Sequence, residues 1–410
     1  MDEIQLRAGT AEDWDAISDL IGFVFLETLT AEQSATEGSV FEPERSIVAV
    51  DGEQVVGHAA AYTRELTVPG AIVPAAHVSL VGVLPTHRRR GLLSQMMKRQ
   101  LGEIAAAGRE PLAVLWASET AIYPHFGYGM AAQVMRIDAM TRELGPPALP
   151  TDGYEGKLRL VKPVEAIGDF AKVYEQLRGA RVGWSSRDER WWKFVLDDLE
   201  SQRSGATERY GVVHDTPHGP TGYALWRSKD GWEAHGPNGE TQIREVIAAD
   251  PQTYAALWRF LLTLDLTRSA RAGYLAVDEP LPHLVSEPRR LGATLSEALW
   301  VRVVDVAGAL AARRYLTPVD LVFEITDPLL PGNTGRWRLT GGPDSATCAR
   351  TTDPADLACT VLELGAAYLG GTSLATLAAA GRVREITAGS AAAASAAFGW
   401  HRLPNPTETF

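Results

Sequence analysis

A strand, a turn, a helix and a second strand follow one another between residues 75 and 116, and this unit constrains the fold more than any other part of the chain. Residues 75–84 form a valine-rich apolar run that ends at Pro85, as a buried strand would. From Leu92 onward, apolar residues recur at helical spacing, and Gly108 is placed to end that helix. Residues 112–116 form another short apolar run. This alternation predicts an α/β layered domain.

Three consecutive arginines stand at the predicted start of the helix, and Gly91 follows them. A helix start already carries partial positive charge, so Arg88, Arg89 and Arg90 are misplaced there unless an anion binds between them. Backbone N–H groups and guanidinium forks would then converge on a phosphate, and a glycine lets the backbone approach it closely. The alternative is a loop of solvated surface arginines. The surrounding strand and helix favour phosphate binding.

The segments on either side extend this first region to about residue 148. Residues 4–7 predict a short strand, and Thr10 is a candidate N-cap for the helix that follows. Residues 46–62 contain two β-rich runs joined by Asp51-Gly52, which is a hairpin signal. The proline-rich segment 145–150 predicts a linker. The first domain is therefore predicted to span residues 1–148.

Two further regions follow, predicted as domains over residues 149–300 and 301–410. The second contains strand-like runs at 211–214 and 223–227 and an amphipathic helix over about 251–266. Its order of elements echoes the first region, but it has no matching arginine loop. The third region has strand-like runs at 321–325 and 335–340 and then alanine-rich helices with glycine breaks.

Composition narrows the class of partner. The net charge of −12 argues against nucleic acid and suits a cationic substrate, although acidity of this kind also serves solubility alone. The two cysteines, Cys348 and Cys359, lie in no metal-ligand pattern, so we expect no bound metal. So few cysteines also fit a reducing compartment. The start of the sequence has no signal-peptide pattern, and no apolar stretch is long enough for a membrane span. We expect a cytoplasmic protein without a membrane partner.

Two motifs together resemble a known family. The sequence Arg88-x-x-Gly91-x-Leu93 after a valine-rich strand resembles the pyrophosphate loop of the GCN5-related N-acetyltransferases, with Leu93 where a small residue is usual. The longer string from Val83 to Leu93, followed by the Trp116–Glu119 segment and by Ile122-Tyr123-Pro124-x-Phe126-Gly127-Tyr128-Gly129, is similar to the Eis (enhanced intracellular survival) family of aminoglycoside acetyltransferases. The resemblance covers the whole chain. It implies two tandem acetyltransferase lobes and a C-terminal domain similar to sterol carrier protein, an α+β and α/β architecture.

The resemblance also implies a cosubstrate, acetyl-CoA, and the residues that would hold it. The backbone of the strand end would align the pantetheine arm, the arginine loop would hold the pyrophosphate, and two residues after the next strand would contact the same region. These cofactor-binding residues are Val81, Gly82, Val83, Arg88, Arg89, Arg90, Gly91, Leu92, Leu93, Ser94, Ser118 and Glu119.

Two residues match the family's catalytic groups. Tyr123 matches the general acid, and a phenol can protonate a departing thiolate because its reference pKa of about 10 is not far above a thiol's. Its alternative is a core aromatic beside Phe126 and Tyr128. Phe410 matches the aromatic C-terminal residue whose carboxylate acts as general base in the family. Its alternative is a frayed tail.

The implied amine pocket involves Phe23, Phe25, Glu27, Trp116 and Glu408. Phe23 and Phe25 are more simply expected in the core. Trp116 stands where relatives carry a histidine, and Glu408 is separated from the last residue by Thr409, so amine recognition is expected to differ.

Three functions remain open from the sequence. They are acetylation of a bulky polycation of the aminoglycoside type, acetylation of another amine (a protein lysine, a polyamine or a metabolite), and a lipid or acyl-CoA sensor. A homohexamer is implied by the resemblance alone.

Overall fold

The computed structural model describes residues 4–147 and 156–410 and divides into two compact units. The first unit contains residues up to Ala132, residues 298–404 and residues 409–410. The second contains residues 133–297 and residues 405–408. Each unit is therefore assembled from separate stretches of the chain.

The strands of the described residues are β1 Gln5–Ala8, β2 Ser46–Asp51, β3 Gln54–Val68, β4 Ala71–Val83, β5 Leu112–Trp116, β6 Gly129–Met130, β7 Gln133–Met140, β8 Lys157–Val161, β9 Tyr210–Thr216, β10 Gly219–Lys229, β11 Trp232–Glu233, β12 Gly236–Pro237, β13 Gly239–Ala248, β14 Thr267–Leu275, β15 Thr294–Glu297, β16 Leu299–Val303, β17 Val319–Thr326, β18 Gly335–Gly341, β19 Ala346–Arg350, β20 Leu357–Thr360 and β21 Arg384–Glu385. The α-helices are α1 Trp14–Val24, α2 Ala31–Gly38, α3 Leu92–Ala107, α4 Thr141–Leu144, α5 Ile167–Arg178, α6 Glu189–Leu196, α7 Pro251–Leu262, α8 Val306–Ala312, α9 Val361–Tyr368, α10 Leu374–Ala379 and α11 Ser390–Phe398.

The larger sheet of the first unit has the order β1-β2-β3-β4-β5-β16-β6. β4 and β5 are parallel neighbours, and the helix that connects them, α3, packs on β2, β3 and β4. The buried stripe of α3 includes Met96, Met97 and Leu101, as its helical spacing predicts. The predicted strand–helix–strand unit is confirmed, and Gly108 ends the helix with a φ of 63°.

β4 and β5 pair only near their start, from Ala75 opposite Leu112 to His77 opposite Val114, and then diverge. An irregularity in β4 accompanies the divergence, since the pairing with β3 shifts register between Ser79 and Gly82. Leu80 lies in this irregularity with a φ of 52°, and the buried His58 holds its carbonyl through Nδ1 at 2.8 Å. Burial lowers the pKa of His58 to about 4, so the ring is neutral. The gap between the two strands is where the site forms.

The second unit repeats this arrangement in the sheet β15-β7-β14-β13-β10-β9-β8. β13 and β14 are parallel from Gly239 to Ile243 and then diverge. The start of its crossover helix α7 differs from that of α3, because the Asp250 carboxylate accepts the N–H groups of Gln252 and Thr253. A phosphate would be repelled there, which agrees with the missing arginine loop. α7 ends at Leu262, four residues before the predicted end, because the chain turns into β14.

The smaller sheet of the first unit has the order β19-β18-β17-β20-β21 and includes the strands predicted at 321–325 and 335–340. Its strands all follow β16 in the chain and lie within residues 298–404 of the first unit. β7 and β16 lie in sheets that local sequence does not indicate. β7 lies within the predicted first region, residues 1–148, yet joins the sheet of the second unit, and β16 pairs with β5 of the first unit. Of the predicted linker, residues 148–150 lie outside the described residues.

Candidate active site

A cavity of about 520 Å³ opens in the first unit where β4 ends and α3 begins. Tyr123 and most of the cofactor candidates from the sequence line it. The predicted cofactor residues that line it are Val81, Gly82, Val83, Arg88, Arg89, Gly91, Leu92, Leu93, Ser94, Ser118 and Glu119. Arg90 is the exception, since it is not part of this lining and donates to the Thr86 carbonyl at 3.3 Å.

The arginine loop presents its donors to this cavity. Gly91 is the N-cap of α3 with a φ of 80°, so no side chain caps the first N–H groups of the helix. The first turn of α3 carries no acidic residue. Arg89 also has a positive φ, of 62°, which is uncommon for a residue other than glycine, and it lines the cavity. An uncapped helix start flanked by Arg88 and Arg89 fits a pyrophosphate group.

His87 connects the arginine loop to a neighbouring hairpin through a hydrogen bond. It is nearly buried, and its Nε2 lies 3.0 Å from Asp51 Oδ2 in the β2–β3 hairpin. The contact connects the loop to the hairpin across 36 positions of sequence, and no local sequence pattern predicts it.

A second cavity of about 290 Å³ lies beside the first. The two share Phe25, Val81, Ser118 and Tyr123 in their linings. The rest of the second lining is Val78, Ser79, Leu80, Trp116, Ala117, Thr409 and Phe410. No Asp, Glu, Lys or Arg side chain is among these lining residues of the described chain. This cavity is mainly apolar and aromatic.

Tyr123 stands at the junction of the two cavities. Burial, followed by the nearby Glu119 carboxylate, raises the pKa of its phenol to about 12, so the phenol keeps its proton at neutral pH. Its ring also packs against the ring of Tyr128 with centroids 6.0 Å apart. Tyr123 is therefore both a core aromatic and a cavity residue. The two alternatives from the sequence, a general acid and a core aromatic, do not exclude each other.

The turn that carries Tyr123 is supported by residues that the sequence did not single out. Arg302 of β16 is fully buried and donates from Nε to the Phe126 carbonyl at 2.8 Å. Asp327 is also buried. Each of its two carboxylate oxygens accepts a hydrogen bond of 2.8 Å from the same guanidinium. Gly127 follows with a φ of 81°, and a Cβ there would lie 2.9 Å from the Arg302 side chain. The C-terminal part of the first unit thus holds the turn in place.

Phe410 enters the second cavity and is held at both ends of the residue. Its main-chain oxygen accepts a hydrogen bond of 2.6 Å from Ser79 Oγ. Its ring meets the buried His77 ring edge-on, with centroids 4.6 Å apart. Ser79 and His77 are further residues of the site that sequence reasoning did not assign, and they lie more than 300 positions from the residue they hold.

The remaining substrate candidates are distributed differently. Trp116 and Phe25 line the second cavity, and the expectation that Phe23 and Phe25 are core residues is wrong, because they are 60% and 41% exposed. The chain after α1 turns away from the core through Leu26, whose φ is 61°. Phe23 and Glu27 are not among the lining residues of either cavity.

Glu408 is not brought to these cavities. It belongs to the second unit, is buried, and accepts from Arg187 Nε at 2.6 Å. Arg187 also bonds the buried Glu245 at 2.7 Å, and its guanidinium covers the Tyr174 ring. Because Glu408 is paired with Arg187 and lines neither cavity, it is not a residue of the candidate site.

Within residues 4–147 and 156–410, no group of three or more His, Cys, Asp or Glu side chains could hold a metal ion. None of the helices in that part of the chain is long and apolar enough to cross a membrane.

Family models match most of the chain. Acetyltransferase (GNAT) domain models match residues 5–131 and residues 183–303. A sterol carrier protein domain model matches residues 306–405. Together with the fold, these matches define the class: a tandem GCN5-related N-acetyltransferase with a sterol-carrier-like domain after the two acetyltransferase domains.

Individual relatives agree over nearly the full length. An uncharacterized N-acetyltransferase of Streptomyces avermitilis is 43% identical over 395 residues, which is 96% of each chain. The N-acetyltransferase Eis of Mycobacterium tuberculosis is 33% identical over 391 residues, which is 93% of each. The crystal structure of Eis1 from Mycobacterium abscessus superposes with a TM-score of 0.84 at 31% identity and covers both chains fully. The chain belongs to the Eis family of N-acetyltransferases.

Proposed function

We propose that the protein transfers an acetyl group directly from acetyl-CoA to an amine of a cationic substrate while both are bound. The observation that carries this proposal is the meeting of two cavities at Tyr123, with Phe410 in the smaller one. The larger cavity, with its uncapped helix start and its arginines, fits the diphosphate and arm of acetyl-CoA. The smaller cavity is left for the amine.

We assign the roles of the residues from the family resemblance, and their positions at the two cavities support the assignment. Acetyl-CoA, when bound, supplies the acetyl group as a thioester. The Phe410 carboxylate, held by Ser79, accepts a proton from the amine, and Tyr123 donates a proton to the sulfur. The amine nitrogen forms a bond to the acetyl carbon as the carbon–sulfur bond breaks, so one proton is lost from nitrogen and one is gained by sulfur. By the family resemblance, a backbone N–H group of residues 81–83, which line the larger cavity, would polarise the thioester oxygen.

Direct transfer is preferred to a route through an acylated cysteine. Burial raises the pKa of the Cys348 thiol to about 12 and that of Cys359 still further. A thiol that keeps its proton at neutral pH is a poor nucleophile. Neither cysteine lines the two cavities.

An aminoglycoside is the first candidate for the amine, because the family resemblance and the net charge of −12 both suit a polycation. A second candidate is another amine, such as a protein lysine, a polyamine or a metabolite. The absence of acidic side chains from the described lining of the smaller cavity, and the indole of Trp116 in it, favour this second candidate. A purely sensing role is less well supported, since Phe410 lines a cavity instead of being held away from it. We also propose a homohexamer, which the family resemblance alone implies, and a cytoplasmic location, which the cysteine usage suggests.

The test is thiol release from acetyl-CoA with a panel of aminoglycosides, polyamines, lysine peptides and monoamines, with product masses measured. Multiple acetylation of aminoglycosides supports the first candidate, and turnover confined to other amines supports the second. Acetyl-CoA binding without turnover of any amine would contradict the proposal and restore the sensing role.

A further inference from the structure

The second unit contains a cavity of about 150 Å³ whose lining has three arginines. Its lining residues are Arg209, Trp226, Arg227, Gln242, Ile243 and Arg244. Arg209 precedes β9, and the others lie on the neighbouring strands β10 and β13. The pairing of β10 with β13 shifts register here, so that Arg244 stands between the residues opposite Leu225 and Trp226. A β-bulge redirects a side chain in this way. Arg244 lines this cavity, and its guanidinium lies over the Tyr274 ring, 4.6 Å from the ring centroid.

The three guanidinium groups are unequally neutralised. Arg227 donates from Nε to Asp198 at 2.8 Å, and Arg203 shares the same carboxylate. Arg209 donates to the Val195 carbonyl at 2.7 Å, and Arg244 donates to the Thr407 carbonyl at 2.9 Å. Among the described residues, neither Arg209 nor Arg244 forms an ion pair with a carboxylate.

The cluster therefore carries an excess of positive charge. Burial first, and then Arg227 and Arg244, lower the pKa of Arg209 to about 10, and the carboxylates of Asp198 and Asp197 only partly offset this. Three guanidinium groups held around one space cost free energy unless an anion occupies it. Planar guanidinium forks match the oxygens of phosphate better than any other side chain does.

The size of the cavity limits the ligand. About 150 Å³ equals the space of about five water molecules in the liquid and is below the range of about 300 Å³ and more for drug-sized ligands. A phosphate group fits, whereas a whole nucleotide does not. The cavity is also not a second cosubstrate site, because the Asp250 carboxylate occupies the helix start where a pyrophosphate would bind in this unit.

We propose that the cavity between Arg209, Arg227 and Arg244 is a binding site for a phosphate dianion, either free or as the terminal group of a small phosphate monoester. Trp226 supplies an apolar wall beside the charged groups. The site is distinct from the candidate active site, and it assigns a ligand to a unit in which no catalytic residue is placed.

The experiment is a calorimetric titration of the full chain with inorganic phosphate, with sodium chloride held constant and acetyl-CoA at saturation so that the arginine loop of the first unit is occupied. Wild type is compared with Arg209→Gln and with Arg190→Gln, a control at an exposed arginine of the same unit that pairs with Asp188. We expect phosphate binding in wild type and in the control, and binding weaker by about tenfold or more in Arg209→Gln, as the loss of a charge-assisted hydrogen bond should cause.

The same variant has an expected effect on stability that does not depend on activity. Without phosphate, Arg209→Gln should melt at the temperature of wild type or above, because like-charge repulsion is relieved. Phosphate should raise the melting temperature of wild type and of the Arg190→Gln control more than that of Arg209→Gln. Thiol release by Arg209→Gln should match wild type, which shows that the variant is folded. A second titration with glycerol phosphate separates a metabolite from the free ion: tighter binding than inorganic phosphate indicates a monoester. No binding in wild type, or equal binding in all three proteins, would overturn the proposal.

Discussion

Replacing Tyr123 with phenylalanine removes one proton donor and leaves the shape of the site unchanged. The phenol lies where the two cavities meet, and its raised pKa of about 12 keeps it protonated. General acids contribute about 10²–10⁴ in rate. A phenol of that pKa is a weaker acid than a thiol by about 3.5 pKa units, or about 5 kcal/mol, which places the expected effect at the lower end of this range. We predict a decrease of about a hundredfold in kcat, equivalent to about 2.7 kcal/mol of activation free energy.

The assay is thiol release at saturating amine, with the KM for acetyl-CoA measured in parallel. That KM should change little, because the hydroxyl acts on the leaving sulfur and not on the diphosphate. Tyr128→Phe is the matched control. Tyr128 is also buried in the same cluster, but it lines neither cavity, so the loss of its hydroxyl should leave kcat unchanged.

The pH dependence gives an independent check on the same residue. A folded-state pKa raised to about 12 means that the donor is present below that pH, so Tyr123 should cause no loss of kcat between about pH 7 and pH 10. Its contribution to stability is likewise lost only as the pH rises through about 10 to 12, since the unfolded phenol titrates near 10. Equal kcat values for Tyr123→Phe and Tyr128→Phe would refute the assignment of the general acid.

Further predictions follow from other parts of the first unit. Deleting Phe410 should reduce kcat by about a hundredfold or more. Ser79→Ala removes only the hydrogen bond to the main-chain oxygen of Phe410 and should reduce kcat by a smaller factor. A deletion variant as active as wild type in the thiol assay would exclude Phe410 as the general base. Asp327→Asn leaves the buried Arg302 without its counter-ion and should lower the free energy of unfolding by about 3–5 kcal/mol in a denaturant titration, and an unchanged midpoint would contradict the ion pair's role. Gly91→Ala forces a side chain into a φ of 80°, so the KM for acetyl-CoA should rise several-fold while kcat is nearly unchanged, and a changed kcat with constant KM would argue against the phosphate loop.

Local features of the sequence are sufficient for much of the first unit. The start of α3 at the arginine loop, its end at Gly108 and the β2–β3 hairpin at Asp51-Gly52 all rest on periodicity or on a glycine with positive φ, and the structure confirms each. The family motif placed Tyr123 and the arginine loop in one unit because the residues that carry it are close in sequence: the loop lies within the strand–helix–strand unit, and Tyr123 follows its second strand.

Only the tertiary structure shows the arrangement that depends on distant pairings. Ser79 meets Phe410 across 331 positions, and Arg302 supports the Tyr123 turn from a strand that follows the whole second region. Phe25 looks like a core residue by composition and becomes a cavity wall because the chain reverses at Leu26. Glu408 resembles a substrate contact in the sequence, but in the structure it forms a buried ion pair with Arg187. Each depends on which surfaces meet after folding, and local propensity carries no information about that, because a side chain's partner is set by the packing of segments far apart in the chain.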